Sequence, residues 1–463
     1  MAVVGPIGVG VFLASATVGL PPRGPRHAEG APLTEAGDRL DASVVRAALT
    51  PLQDILVVPR VSSAITPPPA SPRIFGATLL PRIGPEQVMA VLLDPRALRA
   101  ALPSLIRAEV VASTTAPAPA PVPAPAKSPT PSPSPSPSPG PVELRLLAWE
   151  LEIPFFNLSG RAWVARRGDA VDFQLVDGAF SPGWIRFRAT ADPGTTGTVV
   201  TCESQLAFAS TNWLIRRLAR HDPYAATAMA AAIDWVSLRA VATRAGVDPG
   251  APVQRPTGVP QAPDSLRGDD LFAPGLENLR ARGTVLRVRR RENGRLAFAS
   301  AMVSVARPED ETRARLSAPE SWTAFPGWKR VIRRPGDPTL FDVTDDIAFV
   351  DFDSTWRLGG LTPLSARAIA GRISGAILAW DFARAPTPVP GPRPTASAVP
   401  AATATTTVVL SMHPRLDAAG FIERRMVASE PLLEHALALG LVYADVAGAA
   451  SALASDASAR PIR

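Results

Sequence analysis

Two stretches far apart in this chain of 463 residues can be laid over one another without a gap. PEQVMAVLLDPRALRAALPSLIR (Pro85–Arg107) aligns with PEDETRARLSAPESWTAFPGWKR (Pro308–Arg330), with six identities in 23 positions. The identities are Pro85 with Pro308, Glu86 with Glu309, Leu93 with Leu316, Ala101 with Ala324, Pro103 with Pro326 and Arg107 with Arg330. A second pair lies further on: WLIRRLARHDPY (Trp213–Tyr224) over FIERRMVASEPL (Phe421–Leu432), where Arg216, Arg217 and Pro223 meet Arg424, Arg425 and Pro431. Self-similarity at a long period means a repeated structural unit, so this chain should fold as two copies of one design.

The offset is 223 residues for the first pair and 208 for the second, so the first copy carries 15 extra residues between its anchors. The excess sits in APAPAPVPAPAKSPTPSPSPSPSPGP (116–141), which holds 12 of the 52 prolines. Such a segment favours extended polyproline II and cannot collapse. Because it lies between two anchors of one copy, it reads as an insertion within a folded unit, tolerated at a hairpin tip because loop-closure cost grows slowly with length. The second copy has its own insertion at 385–403. The chain therefore divides into a signal peptide over 1–22, a lead-in segment over 23–71, a first domain over 72–245, a linker over 246–269 and a second domain over 270–455.

Each copy reads as a strand, two short helices, about six antiparallel strands and one long helix. In the first, RIFGATLLPRI is extended, and Pro85 with Glu86 suits a first helical turn. DPRALRAALP is a second short helix. Alternating runs separated by Gly168-Asp169 and DPGTTG come next, and a long helix starts near Trp213, with a new segment after Pro223. In the second copy the strands run from Lys329 to Met412 and the last helix covers about Leu416 to Leu453.

This order, with the Pro-Glu openings of PEQVMAVLLDPRALRAALPSLIRAEVV and PEDETRARLSAPESWTAFPGWKRVIRR, resembles the START-like (SRPBCC, helix-grip) superfamily, which includes polyketide cyclase-like and coenzyme Q-binding proteins. LENLRARGTVLRV (Leu276–Val288) is similar to the lead-in segment of some bacterial members. The resemblance implies an α+β fold: two tandem helix-grip domains, each a curved antiparallel sheet of about six to seven strands around a long C-terminal helix. It also implies a hydrophobic small molecule or lipid as ligand. Fold alone does not decide function, so a cyclase- or aromatase-like enzyme, and a structural module whose cores are filled by their own side chains, stay open beside simple binding. In the first copy the alternating residues Val171, Phe173, Leu175 and Ile185, Phe187, Ala189 are expected to face a cavity that Trp213, Leu214 and Met229 close from the helix.

The remaining features narrow the chemistry. Formal charge is +7, but the arginines are scattered and the longest basic run is RVRRR (287–291), which argues against nucleic acid. Arg216-Arg217 and Arg424-Arg425 could meet an anionic head group, giving peripheral membrane contact, or pair with carboxylates on the sheet rim. A single cysteine, Cys202, excludes an intrachain disulfide and reads as a small core residue. Four histidines, none at ligand spacing, argue against zinc, and His221 and His435 read as exposed or capping. No cofactor motif and no catalytic residue is identified.

FDVTDDIAFVDFDST (341–355) places Asp351 and Asp353 on one sheet face, as a metal or acid–base pair if that face looks inward and as a solvated strand otherwise, with Asp345-Asp346 at a hairpin tip. The apolar start MAVVGPIGVGVFLASATVGL suggests an exported or periplasmic protein, although no Lys or Arg precedes the run; the alternative is cytoplasmic. No other stretch reads as a bilayer span. The oligomeric state is not legible.

Overall fold

The computed structural model describes residues 42–50, 52–59, 72–102, 104–116, 142–247, 274–384, 405–416 and 432–458, apart from a few loop positions within them, together with 266 and 424. The expected signal peptide, most of the linker, and the two proline-rich insertions beyond residue 116 and over 385–403 lie outside the described residues.

The chain begins with α1 (Ala42–Ala48), β1 (Gln53–Pro59) and β2 (Arg73–Leu80), then α2 (Pro85–Leu93) and α3 (Pro95–Ala101). Pro85 takes the first turn of α2, while Gln87 caps the Gly84 N–H at 2.9 Å. Asp94 caps α3 by accepting from the Arg96 N–H at 2.9 Å. Six strands come next: β3 (Leu105–Ala116), β4 (Val142–Ile153), β5 (Phe156–Arg167), β6 (Ala170–Gly178), β7 (Phe180–Ala191) and β8 (Thr198–Ala207). Two helical segments, α4 (Trp213–His221) and α5 (Ala225–Ala245), end the first half, with the break where Pro223 predicts it.

The second half repeats this order: α6 (Pro274–Arg280), β9 (Gly283–Arg290), β10 (Leu296–Val305), α7 (Glu309–Leu316), a 3-10 turn (Pro319–Ala324), β11 (Trp328–Arg333), β12 (Leu340–Ile347), β13 (Val350–Leu361), β14 (Leu364–Gly371), β15 (Ile377–Arg384), β16 (Thr406–His413) and the long helix α8 (Leu432–Ser458). In each half the first long strand pairs with the last: β2 with β8, and β10 with β16. The others then run back in order, β8 to β3 and β16 to β11. The fold is α+β, with an antiparallel sheet gripping a long C-terminal helix in each half.

Both insertions join neighbouring strands. Ala116, at the end of β3, pairs with Val142, at the start of β4, and Arg384 of β15 pairs with Thr406 of β16. The chain on either side of each proline-rich segment is therefore already brought together by the sheet.

The lead-in segment assigned to 23–71 contains more than a lead-in. Its α1 and β1 match α6 and β9 of the second half, and β1 pairs antiparallel with β9, centred on Leu56 opposite Leu286. Among the described residues this joins the halves into one sheet of sixteen strands, and Leu40–Arg463 forms one compact unit. Strand β1 is buried on both faces: Leu56 and Val58 pack with α5 and α8, while Ile55 and Val57 pack under α1 and α6 with Leu276 and Leu279. Burial on both faces requires an apolar run rather than alternation, which QDILVV supplies. At the join a Cβ on Gly283 would lie 1.9 Å from the Val58 carbonyl, so glycine is what lets the strands close.

Helices α5 and α8 pack on each other as well as on the sheet. By length and composition both could cross a membrane, contrary to the sequence reading. Part of each helix fills the core: Ala230, Trp235 and Leu238 on one, Ala438, Leu439 and Val446 on the other, are fully buried.

Candidate ligand cavity

In the first half the residues expected to line a cavity face the helix, where they form a packed core. Val171, Phe173, Leu175, Phe187 and Ala189 are buried in one cluster with Trp235 and Leu238 of α5, and Ile185 packs against it half-buried. Phe173 meets Phe187 edge-on at 6.1 Å; Trp149 stacks on Phe180 at 6.4 Å, and Phe180 meets Phe208 at 5.7 Å. The void that touches Phe173, between α2–α3 and β3–β6, is about 10 Å³, room for one water at most. Met229 packs half-buried at the edge of this core and Leu214 is half-buried. Trp213 does not close a cavity: it is 64% exposed on the surface of α4. Among the described residues, aromatic side chains fill much of the sheet–helix space here.

The same space in the second half is less full. A cavity of about 70 Å³ lies between the sheet and α8, lined by Trp328, Asp345, Trp356, Ile373, Ala376, Met412, Leu416, Leu441 and Asp445, with Pro326, Gly327 and Pro414 at its edge. Two of its lining residues, Trp328 and Trp356, belong to an aromatic cluster: Trp322 packs on Phe325, Trp328 and Phe341 with ring centroids 5.2–5.9 Å apart, and Trp328 lies 5.8 Å from Trp356. Trp322 is locked by its Nε1–H donating to the Leu316 carbonyl at 2.8 Å.

Asp345 is not at a hairpin tip with Asp346, as the sequence suggests. Strand β12 runs two residues further, to Ile347 opposite Val350, and Asp345 sits within the strand opposite Trp328. Phe341, Val343 and Asp345 alternate toward the helix, while Asp342 and Thr344 face out, so Asp345 is 4% exposed. Burial pushes its carboxyl up to about 7, and its Oδ1 has no hydrogen-bond partner among the described residues. Asp353 faces out: it is exposed and accepts from Thr344 Oγ1 at 2.8 Å. It borders an outer-face depression of about 350 Å³ with Arg330, Arg334 and Asp342, the last two ion-paired at 2.9 Å. That is the solvated-strand arrangement; the Asp351 side chain lies outside the described residues.

Between the halves lies a buried polar knot that sequence reasoning missed. The carboxylate of Asp54, on β1, accepts from Thr78 Oγ1 at 2.6 Å and Trp235 Nε1 at 3.0 Å, and pairs with Arg239 of α5 and Arg290 of β9, each at 3.3 Å. Burial pushes this carboxyl up, but the two guanidinium charges and the two hydrogen bonds outweigh it and hold it below its ordinary value. His435 is not a surface histidine. It is fully buried, its ring stacked on Trp235 at 5.0 Å, because α8 crosses α5 there. The signal for the knot was an aspartate before the apolar run ILVV, a charge that burial would force to find partners.

Cys202 is a buried core residue, its thiol pushed well up by burial and by the nearby Asp234. Asp234, fully buried on α5, is itself pushed up to about 8, mainly by burial. Among the described residues Arg216 donates to the Thr211 carbonyl at 2.9 Å. Among the described residues no group of His, Cys, Asp and Glu is placed to hold a metal ion.

No family model matches the chain, and no curated protein matches it. Among solved structures, a protein from Thermus thermophilus is 14% identical over 38% of this chain and 97% of its own, with a TM-score of 0.27. The di-domain ARO/CYC StfQ from the steffimycin biosynthetic pathway is 10% identical over 83% of this chain and 99% of its own, with a TM-score of 0.23. The di-domain ARO/CYC BexL from the BE-7585A biosynthetic pathway is 9% identical over 84% of this chain and 99% of its own, with a TM-score of 0.24. At identities and scores this low, the likenesses carry no argument about function.

Proposed function

We propose that the chain binds a small hydrophobic molecule in the sheet–helix cavity of its second half, with the first half as scaffold. The observation that carries this reading is the 70 Å³ space walled by Trp328, Trp356, Ile373, Met412, Leu416 and Leu441 between the sheet and α8. Apolar contact there is worth roughly 25 cal/mol per Å² removed from water. The volume suits a compact molecule rather than the long tail of a lipid or quinone. Native mass spectrometry of the purified protein tests the reading: a retained small molecule is expected from the wild type and not from Ala376→Phe, which fills the space. Retention by both proteins contradicts this placement.

A cyclase-like enzyme working in the same cavity is the second reading, favoured by one observation: a carboxyl poised at about 7, Asp345, lines it. Such a group can take or give a proton near neutral pH.

Peripheral membrane contact belongs to the proposal through α4. Trp213, Arg216, Arg217 and Arg220 are spaced i, i+3, i+4 and i+7, and all four are exposed, so one helix face presents an indole and three positive charges. Sedimentation with phosphatidylglycerol vesicles is expected for the wild type and lost in Trp213→Ala/Arg220→Gln. Equal binding to neutral phosphatidylcholine vesicles would remove the electrostatic account.

A further inference from the structure

The cavity of the second half is apolar in most of its walls but carries acids. Two of its lining residues, Asp345 and Asp445, are carboxylic acids that are 4% and 3% exposed, and none of its lining residues is Lys, Arg or His. Two indoles, Trp328 and Trp356, stand beside them. A carboxyl buried as Asp345 is costly to ionise without a counter-ion. Indole faces attract cations through the ring quadrupole, more strongly when water is excluded. The Asp345 carboxyl and two π-faces around a compact space are complementary to one kind of guest.

We infer that the ligand of this cavity is a small organic cation, an ammonium group carrying apolar substituents, whose charge sits against the Asp345 carboxylate and whose carbons pack on Trp328 and Trp356. This rests on the ligand-binding reading above and narrows it to a chemical class.

The surroundings of Asp345 set the pH behaviour. Among the titratable and charged groups on neighbouring elements, α8 carries Glu434, His435, Tyr443 and Asp445, all buried. Lys329 and Arg330 of β11 and Asp353 of β13 are exposed. His413, at the end of β16, is buried next to the lining residue Met412. Arg372 and Arg415 lie in the flanking connections. Burial alone holds the Asp345 carboxyl at about 7. A cation binds the ionised form, so its affinity rises with pH until Asp345 is fully ionised and levels off above. A neutral guest accepting a hydrogen bond from the protonated acid would show the opposite dependence.

The test uses the full chain and two probes of nearly the same shape, tetramethylammonium and the neutral tert-butanol, titrated by ligand-observed NMR at constant ionic strength. Tetramethylammonium has no proton to lose, so any pH dependence belongs to the protein. It is expected to bind at least tenfold more tightly at pH 8.5 than at pH 5.5, about 1.4 kcal/mol. Asp345→Asn should remove that difference and weaken binding at pH 8.5 at least tenfold, leaving tert-butanol unchanged. Asp345→Ser serves if the asparagine variant does not fold. Binding of tert-butanol without tetramethylammonium, or cation affinity that is flat or falls with pH, overturns the inference and leaves the cavity reading standing. Binding of neither probe overturns both.

Discussion

The two halves share a strand order and a helix position, yet they use the space between sheet and helix differently. The first half fills it with Phe173, Phe187, Trp235 and the Trp149–Phe180–Phe208 group. The second half puts its aromatics on the outer strands β11–β13 and β15, around Trp322, and leaves about 70 Å³ beneath α8. Both halves bury a carboxyl between sheet and helix, but in different ways. Asp234 hangs from the helix beside the Ser204 and Cys202 strand, whereas Asp345 rises from the sheet into open space. Topology sets where a cavity can be, and the placement of a few large side chains decides whether there is one.

The largest effect is expected where the halves meet. Asp54→Ala would leave the buried Arg239 and the half-buried Arg290 without their shared partner, which should cost about 3–5 kcal/mol. Urea unfolding would show this as a lowered midpoint. An unchanged midpoint would mean that the join of β1 and β9 holds the halves together without the knot.

The comparison itself can be reversed. Phe187→Ala should cost about 3 kcal/mol and open a space in the first half. Toluene should then raise the melting temperature of this variant more than that of the wild type. If it does not, the first core collapses around the gap and the filled-versus-open contrast is softer than the structure implies.

Much of the fold is legible in local sequence. The two ungapped anchors carry the unit order, the hairpin insertions and the inward faces of β6 and β7, because helix starts and strand alternation are local. What local pattern misses is tertiary. The role of QDILVV as a shared central strand depends on a second strand more than 220 residues away, Leu56 against Leu286. Asp345 looks like a turn residue because Asp-Asp is common in turns, and only the length of β12 places it inside. Trp213 suggests a cavity wall by its size, but the stripe it shares with three arginines faces water. Nothing in local pattern shows that one core is full and the other is not.

The buried carboxyls give an effect that depends on pH. In the unfolded chain Asp345 ionises near 3.8, and in the folded protein at about 7; for Asp234 the folded value is about 8. The folded state therefore holds protons that the unfolded chain releases, so stability falls as pH rises from about 4 to about 8 and loses no more beyond. Asp345→Asn and Asp234→Asn should each flatten part of that fall, by up to about 4 kcal/mol at neutral pH. Denaturant melts across the range would measure it. A steeper fall in the variants would mean that these acids are ionised and partnered.

The smallest effect belongs to the proline-rich insertion. Replacing residues 117–141 with Asn-Gly joins strands already paired at Ala116 and Val142, so stability should change by less than about 0.5 kcal/mol. A thermal melt that loses cooperativity would show that the insertion contributes to the first half's fold.

The central claim is that the second half holds a usable apolar cavity where the first half holds a packed core. Calorimetric titration of toluene into the wild type, Ala376→Phe and Leu441→Phe tests it most directly, since both substitutions fill the lining from opposite walls, strand side and α8. Saturable binding at one site in the wild type, lost in both variants, is the predicted result. Binding that survives both substitutions would contradict the account.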